Sequence, residues 1–223
     1  MFVNLNTGPG NRPRFLGELG SLSQTEINSS EFKYRRGAEI FGEGETAKYV
    51  YQVIEGAVRS YKLLADGRRQ ISAFHLAGDI FGLENGGTHR FTAEAIIDTM
   101  VRLVRRVSLA YVAESDAAVA RDLLNMTATN LQHAENHMLL LGRKTSLERV
   151  AAFLLEMDSR LTAAGVMALP MCRRDIADYL GLTLETVSRA LSVLHDKGVL
   201  GFLGQTQRQI VLLDRPKLAE LDL

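Results

Sequence analysis

Glycine is spread unevenly along this chain, and its spacing limits the folds open to it. Gly44, Gly56, Gly67 and Gly78 fall 11 or 12 residues apart, and the runs between them, YVYQVI, AVRSYKLL and QISAFHL, are rich in β-branched and aromatic residues. Turn residues at that interval, separating runs of that composition, predict an all-β barrel or sandwich. The stretch MVRLVRRV, residues 100–107, reads as its last strand. After Ser108 no glycine occurs until Gly142, and the periodicity passes from strand to helix. Ahead of the β region, residues 1–30 mix Gly, Pro, Asn and Ser without a period, and this segment is expected to be poorly ordered.

In the glycine-free stretch, Ala120, Leu124, Thr127, Leu131, Ala134, Met138 and Leu141 follow one another at intervals of 4, 3, 4, 3, 4 and 3. That is an a/d seam over three heptads, the pattern by which two helices pair. A helix lying on the β domain of a monomer would use such a stripe too; the regularity favours a dimer contact. His133 and His137 lie one turn apart, but the glutamate between them is not placed as a zinc-protease helix requires, which makes them solvated histidines. Thr145, with Glu148 three residues on, forms a capping box before the apolar run RVAAFLLEM. AAGVMALPM then breaks the helical pattern, and Pro170 marks the entry to the last segment.

That last segment divides cleanly. Ile176, Ala177 and Leu180 give one short helix an apolar face, Gly181 permits a tight turn, and Thr183 is a natural N-cap for a second helix. In the second helix Val187, Leu191 and Leu194 form a buried stripe, while Glu185, Ser188, Arg189 and Ser192 face away. Two short helices joined by a glycine turn match the helix-turn-helix template. The sequence GFLGQTQRQIVLL supplies two β-prone runs around a polar turn, which makes a wing. Arginine clamps guanine, glutamate accepts from cytosine N4 and serine reaches several groups, so Glu185, Ser188 and Arg189 are the expected base-reading face. A Glu185–Arg189 ion pair that merely supports the helix is the plainer alternative. Arg173, Arg174, Thr183, Ser192 and Arg208 are the expected contacts to the DNA backbone.

Lys+Arg and Asp+Glu both number 26, a balance that weighs against indiscriminate nucleic-acid binding and leaves room for a reader with a few well-placed arginines. With 46% hydrophobic residues the chain should bury a real core. No signal sequence and no run long enough for a membrane span is visible, so a cytoplasmic protein is expected. One cysteine excludes a disulfide framework, a multi-cysteine metal site or an iron–sulfur cage within these residues. The β region offers only His75 and His89 as metal ligands, and neither a Gly-rich phosphate loop nor a nucleophile elbow occurs, so an enzyme is not expected. No cofactor and no metal are expected.

The spacing E-T-V-S-R at Glu185–Arg189, inside DIADYLGLTLETVSRALSVL, resembles the recognition helix of the bacterial CRP/FNR transcription-regulator family, and more narrowly its FNR/FixK branch, whose signature is E-x-x-S-R. The likeness covers nearly everything after about residue 30. It implies an α+β chain: an antiparallel β-roll like a cyclic-nucleotide-binding jelly roll over 31–108, a dimerisation helix over 109–143, and a winged helix-turn-helix DNA-binding domain over 144–223. It further implies a homodimer that reads a TTGA-N6-TCAA-like palindrome in double-stranded DNA with the helix that starts at Thr183 and ends at His195. Arg189 would meet the guanine and Glu185 the opposite strand, with RNA polymerase as a further partner and activation as the outcome.

Where the sequence departs from that family it narrows the reading. Cyclic-AMP-binding members carry a Gly-Glu and an Arg-Ser pair; here Gly82 is followed by Leu83, Glu84 is out of step by one, and Arg90 is followed by Phe91. The N-terminal cysteines that hold the iron–sulfur cluster of FNR are missing from this sequence. The expectation is therefore a FixK-like regulator without an evident sensory cofactor; an effector-gated regulator whose β-roll binds a nucleotide or other small anion is the alternative. Cys172 precedes Arg173 and Arg174 at the start of the first helix of the pair, where two arginines and a helix N-terminus favour a thiolate. Its oxidation to sulfinic or sulfonic acid is expected to weaken DNA binding, whereas an apolar buried cysteine after Met171 would be inert.

Overall fold

The computed structural model describes residues 29–84, 86–204 and 206–221. The expectation for residues 1–30 thus lies outside the described residues, except that Ser29 and Ser30 already belong to a strand. Eight strands form the first region: β1 (Ser29–Tyr34), β2 (Glu39–Phe41), β3 (Tyr49–Glu55), β4 (Ala57–Leu63), β5 (Arg69–Leu76), β6 (Ile80–Phe81), β7 (Thr92–Ala95) and β8 (Thr99–Arg105). They make two antiparallel sheets, ordered β1-β8-β3-β6 and β2-β7-β4-β5. Phe41, Tyr51, Val53, Val58, Phe81, Ala93 and Val101 are packed together between them, the alternation expected of half-buried strands. The glycine rhythm has a local cause at the β3–β4 turn. Gly56 has φ +99°, and a Cβ there would lie 2.5 Å from Thr99 Oγ1, so no other residue fits without moving β8.

The stretch expected as one helix from residue 109 is two. Helix α1 (Arg106–Ser115) begins where β8 ends, and α2 (Ala117–Arg143) follows after Asp116. Asp116 leaves the helical conformation (φ −123°, ψ 106°), and its carboxylate accepts from the N–H groups of Ala118 and Val119. An aspartate that caps a new helix terminates the old one. One face of α2, through Val119 and Met126, packs with Val50, Ile80, Val104 and Leu109. The other carries the predicted seam: Ala120, Leu124, Thr127, Leu131, Ala134 and Met138 are exposed and Leu141 is half-buried. The helix meets the β-roll with residues other than the seam.

Helix α3 (Ser146–Leu161) starts with the predicted capping box, Thr145 N–H donating to Glu148 Oε2 at 2.8 Å. The break after it holds two short strands that the sequence pattern did not predict, β9 (Thr162–Ala163) and β10 (Val166–Ala168). Helices α4 (Arg173–Leu180) and α5 (Leu184–Asp196), the wing strands β11 (Leu200–Leu203) and β12 (Gln209–Leu212), and α6 (Arg215–Glu220) complete the chain. The wing joins the two short strands in one sheet, ordered β11-β12-β10-β9. No helix among the described residues is long and apolar enough to cross a membrane.

The β-roll and the helix-turn-helix region share a core. Ile71, Phe74 and Leu76 lie in one cluster with Phe153, Leu154 and Met157 of α3 and Ile176 and Tyr179 of α4. The rings of Phe74 and Tyr179 are 5.1 Å apart. Arg160 of α3 ties the same boundary, ion-paired with Asp79 and donating to the Phe74 carbonyl at 3.2 Å.

Candidate nucleic-acid interface

Helices α4 and α5 are held together as predicted. Ile176, Ala177 and Leu180 of α4 and Val187, Leu191 and Leu194 of α5 are buried. Gly181 ends α4 in the left-handed conformation (φ +62°, ψ 37°) with its N–H bonded to the Ala177 carbonyl, the role a C-terminal glycine plays best. Thr183 caps α5, its Oγ1 accepting from Thr186 N–H at 3.2 Å. With the apolar stripe fixed inward, the opposite face is presented outward. Glu185, Arg189 and Ser192 are exposed and Ser188 is half-buried. Among the described residues no ion pair joins Glu185 to Arg189, so the supporting pair of the plainer alternative is not formed and both side chains are available.

The arginines expected on the DNA backbone differ from one another. Arg174 is exposed. Arg173 is half-buried and acts as a brace: it donates to Ser188 Oγ at 3.2 Å, reaches Gln207 Oε1 in the wing, and lies over the Phe202 ring at 5.8 Å. Arg208 is half-buried, and its backbone carbonyl accepts from Leu169 N–H. Ser192 donates to the Ser188 carbonyl at 3.1 Å.

Cys172 is the N-cap of α4 and is half-buried. Its surroundings differ from those the sequence suggests. Arg173 turns away toward the wing, and the charged group beside the sulfur is the Asp175 carboxylate, 3.2 Å from Sγ and 3.2 Å from the Cys172 nitrogen. The thiol therefore stands as a hydrogen-bond donor to a carboxylate.

Asp175 is the residue that sequence reasoning missed. It is 2% exposed and accepts from Arg59 Nη1 of β4 at 2.8 Å and from Arg69 Nη2 of β5 at 2.6 Å. Arg69 Nε donates to Asp178 at 2.8 Å, and Arg59 Nη2 donates to Glu94 at 2.6 Å. Two guanidinium groups of the β-roll thus grip the first turn of α4. A second polar cluster lies behind it, where Glu156 of α3 accepts from Arg160 at 3.0 Å and lies 3.2 Å from His133 Nε2. Burial pushes the Glu156 carboxyl up, but His133 and Arg160 outweigh it and hold it below the usual carboxylate range. His133 is thus packed against Glu156, its side chain 15% exposed, and His137 stacks on Tyr179 at 4.1 Å; neither is the solvated residue expected.

In the β-roll, the loop around residues 84–87 is tied down by Arg106. The Arg106 guanidinium donates to the carbonyls of Ala47 (3.1 Å) and Gly86 (2.8 Å) and contacts the Glu84 carbonyl. Arg90 is exposed beside the Phe91 ring. His75 stacks on Phe81 at 4.8 Å with Nε2 2.8 Å from Ser60 Oγ, and burial, aided by Arg160, pushes its pKa down to about 3. His89 stacks on Phe41 at 3.6 Å, and burial lowers its pKa against the pull of Glu84. Both imidazoles are packed into the aromatic interior.

The chain matches the model of the Crp-like helix-turn-helix domain over residues 148–221 and that of the cyclic nucleotide-binding domain over residues 31–116. It is 44% identical to the nitrogen fixation regulation protein FixK of Azorhizobium caulinodans, covering 85% of this chain and 77% of that one. It is 34% identical to the transcriptional activator protein FnrL of Cereibacter sphaeroides over 91% of this chain and 83% of that one. Among solved structures, FixK2 from Bradyrhizobium japonicum superimposes with a TM-score of 0.85 at 68% identity, covering 88% of this chain and 98% of that one.

Proposed function

The chain belongs to the CRP/FNR family of transcription regulators, with FixK proteins among its relatives, and from that premise we propose that it is a homodimeric, sequence-specific DNA-binding activator of the bacterial cytoplasm. It reads a TTGA-N6-TCAA-like palindrome with α5 and works together with RNA polymerase. The observation that carries this reading is the outward face of α5, where Glu185 and Arg189 stand exposed and unpaired on a helix whose other side is buried. The exposed Leu124, Leu131 and Met138 on α2 supply the pairing surface for a second copy, which a palindrome requires.

Fluorescence anisotropy of the reduced protein, with no nucleotide added, tests the reading on the palindrome and on a scrambled duplex at one fixed salt concentration. Selective binding is expected; equal affinity for the two duplexes would refute it. Arg189→Ala should cost about 1–3 kcal/mol per protomer on the palindrome and little on random DNA. Equal losses on both duplexes would assign Arg189 to a phosphate.

The reading includes no cyclic-nucleotide and no iron–sulfur effector; an effector-gated regulator whose β-roll binds a small anion is the alternative. What supports this is Arg106 bonded to the loop carbonyls, Leu83 after Gly82 and Phe91 after Arg90 in place of the Gly-Glu and Arg-Ser pairs that the resemblance calls for, and a single cysteine. Control falls instead to Cys172. Oxidation by a peroxide to a sulfinic or sulfonic acid places a second fixed negative charge at the Asp175 carboxylate, 3.2 Å from Sγ, on the side of the molecule that carries Arg173 and Arg174. Peroxide is expected to weaken palindrome binding by the unaltered protein and to leave Cys172→Ala unaffected. Equal losses in the two proteins would remove Cys172 from the explanation.

A further inference from the structure

The hairpin between β4 and β5 projects beside the entrance to α5. Its position is fixed from below. Arg69, the first residue of β5, is held at 2.6 Å by the buried Asp175 and at 2.7 Å by the half-buried Asp178, which anchors the base of the hairpin. The preceding residue, Arg68, has a side chain 77% exposed, and its ion-pair partner is Asp66, half exposed on the same turn. Between the hairpin and the helix pair runs a cleft of about 780 Å³, lined by Arg68, Arg69 and Gln70 on one side and by Arg174, Thr183 and Thr186 on the other.

The chemistry of that lining suits one occupant. Arg69 is neutralised by its two aspartates; Arg68, paired with the exposed Asp66, and Arg174 are exposed at the cleft, and the mutually bonded hydroxyls of Thr183 and Thr186 lie at the positive end of a 13-residue helix. Cations, hydroxyls and a helix N-terminus together match the phosphodiester backbone. The cleft is also continuous with the base-reading face, since Thr183 and Thr186 flank Glu185 on α5. On the DNA-binding reading, a strand leaving the major groove at the start of α5 would pass over Thr183 and on toward the hairpin.

We propose that the β-roll itself takes part in DNA binding: Arg68, at the tip of the β4–β5 hairpin, contacts the phosphate backbone just outside each half-site. This rests on the reading of the chain as a DNA-binding regulator. It adds that the flanks of the palindrome are bound by the first domain of the chain.

The test compares two duplexes that carry the same palindrome, one ending at the half-site edges and one extended by about ten base pairs, one helical turn, on each side. Arg68→Ala should bind the extended duplex roughly three- to tenfold more weakly and lower the salt slope by about two per dimer, one phosphate contact per protomer, while the short duplex is bound as before. Asp66→Asn removes the carboxylate that competes for Arg68 and should tighten binding to the extended duplex alone, a gain that misfolding cannot produce. Equal losses on both duplexes, no loss and no gain on the extended one, or a defect seen only in polymerase-dependent transcription would each overturn the proposal. Selectivity of the unaltered protein for the palindrome is read separately from the scrambled duplex, so the two readings fail independently.

Discussion

Replacing Leu131 with glutamate is expected to yield a folded monomer that no longer holds the palindrome. Leu131 is 60% exposed in the single chain, and its seam neighbours Leu124 and Met138 are 69% and 66% exposed. Large apolar side chains at heptad spacing on one exposed face are the components of a helix pair. A glutamate at the centre of that pair would place two carboxylates against each other in an apolar seam, with no cation opposite. The fold itself should survive, because α2 packs on the β-roll through Val119 and Met126 and not through Leu131. Each monomer then has one recognition helix, and affinity should fall from the range of specific sites toward that of random DNA, about three orders of magnitude or more. Sedimentation velocity and anisotropy on one preparation check both halves of this result. A dimer with undiminished affinity would show that the pairing surface lies elsewhere.

The second large effect is expected at Asp175. Its carboxylate accepts from two guanidinium groups, Arg59 with a side chain 15% exposed and Arg69 with one 19% exposed. Asp175→Ala leaves the two cations side by side in a largely dry boundary, with only Glu94 and Asp178 to offset them. Removing one partner of a buried ion pair costs about 3–5 kcal/mol, because the remaining charge is stranded. Denaturant unfolding followed by circular dichroism should show that loss, with Asp175→Asn, which keeps an acceptor, losing less. A loss under about 1 kcal/mol would mean that water screens these pairs as it screens surface ones.

The elements that could be read from the sequence are those whose cause is local. The seam of α2 declares itself through its 4,3 intervals, and α4 and α5 through Gly181, Thr183 and two apolar stripes. What could not be read depends on partners far along the chain. Asp175 looks like an ordinary acid in the first turn of a helix, and nothing nearby points to Arg59 and Arg69, 116 and 106 residues away. Arg173 and Arg174 look alike in sequence, but adjacent helical residues point about 100° apart; one braces the wing and the other is exposed. The environment of Cys172 is hidden in the sequence for the same reason, since Arg173 faces Phe202 and the acid three residues on, Asp175, lies against the sulfur. Strands β9 and β10, of two and three residues, are too short to have a period, and Asp116 sits where only its capping geometry reveals a break.

The shared core has a consequence for how such a chain can be divided. Cutting it after α2 would bring the faces of Phe153 and Tyr179 that meet Phe74 into water, and would leave Asp175 without its two arginines. The reading head is therefore not a detachable cassette. A chimera that grafts α3 to α6 onto another roll inherits a mismatched joint unless the β4–β5 hairpin travels with it, and lineages that exchange these halves must exchange the joint as well.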